Sequence, residues 1–177
     1  ALTNFRSYNA LELELQPGVI TFVGDNGSGK TNIAESLIYL AFLSSHRVAN
    51  NVPLISLGNQ QAIIRAEVQR EDRTLQIDLE INANKANRAR INGNPTRSQR
   101  ELLGAIQIVY FSPEDLDLVR GEPGNRRDFL DRLLITRTPR LAGVIADYER
   151  VVKQRNTLLK TRTSTAALVP WNEQLIK

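Results

Sequence analysis

The sequence contains no cysteine, so disulfides and thiolate metal sites are excluded and a reducing compartment, the cytoplasm, is expected. It holds a single histidine, His46, so a zinc site built from the usual nitrogen and sulfur ligands is not expected. No apolar run approaches the roughly 18 residues needed to cross a bilayer. No basic-then-apolar leader opens the chain, and no membrane partner is expected. Methionine is absent as well, the first position included. The chain opens inside what reads as a strand and closes, at WNEQLIK, inside what reads as a helix. It is therefore expected to be a piece of a longer protein.

What remains is an ordinary globular composition, 41% hydrophobic and 24% charged over 177 residues, enough for one sizeable domain or one plus an appendage. The net charge of +4 is unevenly spread. Residues 1–82 carry six Lys/Arg against nine Asp/Glu, and residues 83–177 carry seventeen against ten. The second half is thus the half that suits a polyanionic partner, although an Arg-rich solvated helix surface has the same composition.

The chain is organised around residues 19–43, VITFVGDNGSGKTNIAESLIYLAFL. Gly24 to Thr31, GDNGSGKT, satisfies the phosphate-loop pattern G-x-x-x-x-G-K-[ST]. Val19, Ile20, Phe22 and Val23 read as a buried strand before it, and Ile33, Leu37, Leu40 and Ala41 recur at helical spacing after it. Gly24, Gly27 and Gly29 let the backbone turn its N–H groups inward. The following helix adds a positive dipole end. Lys30 is placed to reach the β- and γ-phosphates, and Thr31 to offer its hydroxyl to Mg²⁺. Nucleoside triphosphate binding is the function these residues predict.

Along the rest of the chain, residues 2–15 read as two strands, the second with Leu11, Leu13 and Leu15 alternating with Glu12 and Glu14. Residues 44–58 read as loop. Residues 62–69 and 74–81 read as a hairpin closed by a turn at Glu71-Asp72. Residues 88–92 read as a short strand ended by the turn Asn92-Gly93-Asn94-Pro95. A short helix is expected over 98–103 and a buried strand over 105–111, AIQIVYF. Ser112 and Pro113 then open another short helix. Helices follow over 125–135, 140–160 and from Ala167, with a break at Thr138-Pro139 and a Ser/Thr-rich turn at 161–165. They suggest a helical arm beginning near residue 122.

Hydrolysis needs a carboxylate at the end of a second buried strand to help hold Mg²⁺. AIQIVYF ends in Ser-Pro, and Asp78 and Glu80 fall on the polar face of an alternating strand. The carboxylates are not expected within these residues. ISLGNQQ, residues 55–61, imitates a nucleotide-gripping signature but leads directly into a strand rather than a helix, so it is rejected.

LTNFRSY at residues 2–8, GDNGSGKTN, FSPEDLDLVRGEPGNRRDFLD, YERVVKQRNTLLK and WNEQL occur in an order that resembles the RecF family and, more broadly, the ABC-type heads of SMC-like ATPases. That resemblance implies an α/β fold: a P-loop head lobe combining a mixed sheet and an antiparallel β subdomain, with a helical arm. Residues 1–122 would be the N-terminal part of the head and 123–177 an incomplete arm. It implies ATP and Mg²⁺ as cofactors, an ATP-dependent homodimer that clamps DNA, RecR and RecO as partners, and a part in RecA loading at gaps and replication-fork maintenance. Slow ATPase activity is expected of a full-length protein and not of these residues alone. Nucleotide contacts would come from Gly24, Asp25, Asn26, Gly27, Ser28, Gly29, Lys30, Thr31 and Asn32, with Asn4 and Arg6 beside them. Lys30 would be the catalytic residue and Thr31 the Mg²⁺ ligand.

By the same resemblance Arg47 lies where SMC-like heads carry an arginine near phosphates and DNA, although SSHRV departs from the family's pattern. Ser112-Pro113-Glu114 stands where ABC heads carry a nucleotide-sensing Gln, so that role is not transferred; Glu114 is the substitute candidate. Charge alone adds Lys85, Arg88, Arg90, Arg126 and Arg127 as DNA contacts, with Arg97, Arg100, Lys153 and Arg155 nearby. Arg126 and Arg127 also have Asp128 and Asp131 within pairing reach. No aromatics are interleaved with these residues, which favours the duplex backbone over single strands. A nucleotide-regulated interaction module without significant hydrolysis is the alternative function.

Overall fold

A computed structural model describes the chain except residues 49, 71, 72, 162, 163 and 177 and the side chains of 70 and 114. The expected turn at Glu71-Asp72 lies outside the described residues, as does the side chain of Glu114. The chain forms two compact units, Ala1–Leu116 and Asp117–Lys177.

The first unit is built on a six-stranded sheet in the order β2-β1-β3-β4-β5-β6, antiparallel at every pairing. Its strands are β1 (Leu2–Phe5), β2 (Tyr8–Leu11), β3 (Gln61–Arg70), β4 (Arg73–Asn82), β5 (Arg88–Ile91) and β6 (Asn94–Pro95). The strict alternation of β4 places Ile77, Leu79 and Ile81 in the core and leaves Asp78 and Glu80 only half-buried on the other face, as period-two patterning requires. Asn92 and Gly93 both have positive φ, 50° and 77°, which is the geometry of a two-residue hairpin turn. Asn94 and Pro95 therefore form β6 rather than belonging to the turn. Ser98 and Glu101 make a reciprocal capping box on the 3-10 turn Gln99–Leu102.

Helix α1 (Lys30–Phe42) lays Tyr39 and Leu40 against the inner face of this sheet, in a core that includes Phe5, Leu54, Ile64, Leu79, Ile81 and Leu102. Tyr39 is buried, and its hydroxyl donates to Asn51 Oδ1 at 2.9 Å and accepts from Asn87 Nδ2 at 3.2 Å. The sheet therefore fixes the height and rotation of the helix that begins at the phosphate loop.

Two expected strands do not form. Residues 19–23 carry no strand, and Val19 and Val23 are 98% and 88% exposed. Residues 105–111 likewise carry none beyond a single bridge from Ile106 to Leu103, with Val109 and Phe111 exposed. The physical reason is the same for both: a strand satisfies its backbone only through neighbours, and among the described residues no strand pairs with either run. The expected mixed sheet is thus not formed among these residues. Similarly β2 stops at Leu11, and Leu13 and Leu15 remain exposed.

The second unit is helical, with α2 (Asp117–Arg120), α3 (Pro123–Arg137), α4 (Leu141–Lys160) and α5 (Thr165–Ile176). Pro123 opens α3 at its first turn, and Pro139 follows its end. Arg126 Nη1 donates to the carbonyls of Leu118 and Gly121 at 3.3 and 3.2 Å, tying α3 to the end of α2. Arg155 Nε donates to Asn172 Oδ1 at 2.8 Å, joining α4 to α5.

The buried face of β4 should dominate stability. Leu79→Ala removes a fully buried side chain and is expected to cost about 2–5 kcal/mol. Leu57→Ala, at a fully exposed position, should stay within about 0.5 kcal/mol of wild type. Chemical denaturation of both variants measures the contrast.

Candidate nucleotide site

The loop Gly24–Lys30 leads into α1 without a side-chain cap, because the N-cap residue is Gly29 at φ 99°. A Cβ there would lie 2.7 Å from the Tyr8 hydroxyl oxygen and 2.8 Å from Ser7 Oγ. Glycine is thus required both by the left-handed backbone and by the close approach of the β1–β2 turn. The N–H groups of Lys30 and Thr31, in the first turn of the helix, have no intrahelical acceptors. They point their dipoles at whatever the loop encloses.

Lys30 curls back over the loop. Its Nζ donates to the carbonyls of Gly24 and Asp25, both at 2.7 Å, and reaches Ser28 Oγ at 3.5 Å. The loop is internally braced by Ser28 N–H donating to Asp25 O at 3.2 Å. The hydroxyl-bearing residue Thr31 is exposed in the same helical turn.

The β1–β2 turn closes one side of the cradle. Asn32 Nδ2 donates to Ser7 Oγ at 3.0 Å, and the Tyr8 hydroxyl approaches Ser28 O at 3.5 Å. Asn4 and Arg6 both have positive φ, 50° and 52°, an uncommon state for residues with a Cβ. Each is held by the segment after α1: Ser56 N–H donates to Asn4 O at 2.8 Å, Arg6 N–H donates to Leu54 O at 2.8 Å, and Ser56 Oγ donates to Arg6 O at 2.7 Å.

Beneath this lies Glu35 on α1, fully buried. Arg6 grips it with two hydrogen bonds, Nε to Oε2 at 2.8 Å and Nη2 to Oε1 at 2.6 Å, and donates Nη1 to Pro53 O at 2.8 Å. Ser45 Oγ donates to Oε1 at 2.5 Å. Arg47 Nη1 lies 3.5 Å from Oε2 and 3.3 Å from Asn32 Oδ1. Burial pushes the Glu35 pKa up, but the hydrogen bonds from Arg6 and Ser45 and the charges of Arg6 and Arg47 outweigh it. The carboxyl is held below its ordinary value.

Residues named from the motif and from the resemblance therefore converge: loop, Asn32, Arg6 and Arg47 share one hydrogen-bonded cluster. Glu35, Ser7, Tyr8 and Ser45 were not picked out by the sequence. The available signal was Glu35 itself, an acid among Ile33, Ile38 and Tyr39 on a helix with buried apolar faces, where charges occur only when paired. Lys85, Arg88 and Arg90 are exposed on the β4–β5 hairpin. Arg88 stands opposite Glu80, and Asp78 stands between Arg90 and Arg65, with an Arg65–Asp78 ion pair at 3.2 Å. Together with Arg97 these residues line an open groove of about 470 Å³. Arg126 and Arg127 are exposed on α3, in the second unit.

The profile described as the RecF/RecN/SMC N terminal domain matches residues 1–122. The chain belongs to this family. It is 50% identical to the DNA replication and repair protein RecF of Kineococcus radiotolerans, over 99% of this chain and 47% of the relative. It is 58% identical to the protein of the same name from Renibacterium salmoninarum, over 91% of this chain and 40% of that one. The chain thus spans about half the length of the curated relatives it matches. Its fold superposes on a solved structure of the recombination mediator protein RecF with ATP, at TM-score 0.88 and 27% identity over 98% of this chain and 48% of that one. A structure from work on ATP-driven dimerization of SMC ATPases matches at TM-score 0.59 and 21% identity over 75% of this chain, a likeness of fold. The chain has the α/β architecture of an ABC-type ATPase head.

Because Glu35 has a lowered pKa, its pairing stabilises the fold above the ordinary carboxyl value near 4.5 and is lost as pH falls through the lower folded value. The stability difference between wild type and Glu35→Gln should be constant above pH of about 5 and shrink below it. Urea titrations across pH measure it; a difference that widens in acid contradicts the pairing.

Proposed function

We propose that this chain is the nucleotide-binding part of a RecF-type, ATP-gated DNA-binding protein of recombinational repair and replication. The observation that carries the reading is the cradle: Gly29, Lys30, Asn32, Ser7 and Arg6 assembled around one loop, in a fold shared with a RecF–ATP structure. Residues 1–122 are taken as the N-terminal part of the ATPase head and 123–177 as the start of its arm. The phosphates sit against the loop N–H groups, Lys30 neutralises the β- and γ-oxygens, and Asn4, Arg6 and Arg47 border the site.

Thr31 is the residue of this chain that fits Mg²⁺. Among the described residues no group of three His, Cys, Asp or Glu could hold a metal. The remaining ligands are then phosphate oxygens, water and carboxylates from outside these residues, as suits an ion that keeps much of its hydration. Bound Mg²⁺ would neutralise phosphate charge in hydrolysis.

ATP joins two copies head to head around DNA, with RecR and RecO as further partners, in the cytoplasm. No helix among the described residues is long and apolar enough to cross a membrane. Duplex or gapped DNA is contacted through phosphates by residues drawn from Arg47, Lys85, Arg88, Arg90, Arg126 and Arg127. Asp78, ion-paired with Arg65, and Glu80, opposite Arg88 across the strands, offset two of the four arginine charges that line the groove, so affinity comes from many weak contacts.

Lys30→Ala in the full-length protein is expected to lower ATP affinity by at least about tenfold, the loss of a charge-assisted contact, and to abolish ATP-dependent dimerisation. Isothermal titration and sedimentation decide it, and wild-type affinity in the variant sinks the reading. DNA affinity should fall with salt at a log–log slope of several units; a flat slope in fluorescence anisotropy removes the arginines from the argument.

A further inference from the structure

Among the described residues Glu35 is the charged side chain with no exposure, and the two arginines that face it are held very differently. Arg6 is fixed. Its backbone is pinned on both sides, its guanidinium makes three short hydrogen bonds, and its side chain is only 16% exposed. With Ser45 this already satisfies the carboxylate, which needs no second cation.

Arg47 is not fixed in this way. It reaches Glu35 and Asn32 through one nitrogen, at 3.5 and 3.3 Å, distances at the weak end for hydrogen bonds. Its side chain is 39% exposed, and it lies in irregular backbone after α1. Asn32 is two positions beyond Lys30, in the first turn of α1. A loosely held guanidinium thus rests at the rim of the phosphate loop, facing a carboxylate that is neutralised without it. Guanidinium binds phosphate in bidentate fashion more strongly than it binds one long carboxylate contact.

We propose that Glu35 is a positioning residue with two tasks: it locks Arg6 into the fold, and it competes with the terminal phosphate of a bound nucleotide for Arg47. Glu35 thereby sets how strongly the site prefers a triphosphate to a diphosphate. The inference rests on the reading that Gly24–Thr31 binds nucleoside triphosphates.

The test compares N-methylanthraniloyl ATP and ADP affinities in the full-length protein by fluorescence titration, for wild type, E35Q, E35D, R47A and E35Q/R47A. Glu35→Gln removes the competing charge, and Glu35→Asp withdraws it from Arg47 while keeping a partner for Arg6. Either should raise the ratio of ADP to ATP dissociation constants by about threefold, the strength of a part-exposed ion pair. Arg47→Ala should lower the ratio, and the double variant should match R47A. A merely structural Glu35 would weaken both nucleotides alike and leave the ratio unchanged, which overturns the proposal. So does a rise in ratio that persists without Arg47, or failure of both Glu35 variants to fold by circular dichroism. Lys30→Ala separates the two levels. If wild type binds neither nucleotide better than K30A, the phosphate-loop reading itself fails and the proposal falls with it; if wild type binds and the ratio ignores Glu35, only the proposal fails.

Discussion

A carboxylate withdrawn from water must be matched by a cation, and the pairing of Glu35 with Arg6 meets that requirement here. The pair joins three parts of the chain that are far apart in sequence: the end of β1, the middle of α1, and the segment that returns to the sheet through Pro53, Leu54 and Ser56. Such a pair contributes little net stability over an apolar substitute of equal volume, yet removing one partner costs about 3–5 kcal/mol. It therefore acts mainly on arrangement. With the hydrogen bonds to Leu54 and from Ser56, it holds Arg6 in left-handed backbone, as Ser56 N–H holds Asn4, a state that costs about 1–3 kcal/mol and persists only where the surroundings over-determine it. The strained turn brings Ser7 and Tyr8 against Gly29, so the cradle around the loop follows from the pair beneath it.

Local signals in the sequence were read correctly where the structure they specify is also local. The Asn92-Gly93 turn, the alternation of β4, and the helical period after Lys30 all appear in the fold. Residues 19–23 and 105–111 carry equally strong apolar signals, yet neither is a strand. Apolarity records that a segment is to be buried; it does not supply the neighbouring backbone that makes it a strand. The relatives are about twice as long as this chain, and among the described residues neither run gains a partner strand.

The same distinction applies to the site. The loop and its lysine were legible because the phosphate-binding geometry is encoded within eight consecutive residues. Glu35 was not, because its meaning depends on Arg6, twenty-nine positions earlier, and Ser45, ten positions later. A helical period marks which face is buried but is silent on which polar group on that face has found a partner. Arg6 shows the same dependence: the resemblance sets it beside the nucleotide, and only the fold shows its guanidinium committed to Glu35 and Pro53.

Lys30 braces the loop from within. Two of its contacts, to the carbonyls of Gly24 and Asp25, are short, and the third, to Ser28 Oγ, is long. An ammonium has three donors. It can therefore keep the two carbonyl contacts that position it and turn the third toward a phosphate oxygen, exchanging a weak neutral acceptor for a charged one roughly twice as strong. The positive charge at the loop then has a fixed part, Lys30 and the α1 dipole, and an adjustable part, Arg47. On the reading proposed above, Arg47, held by two long contacts, is the cation able to follow a terminal phosphate.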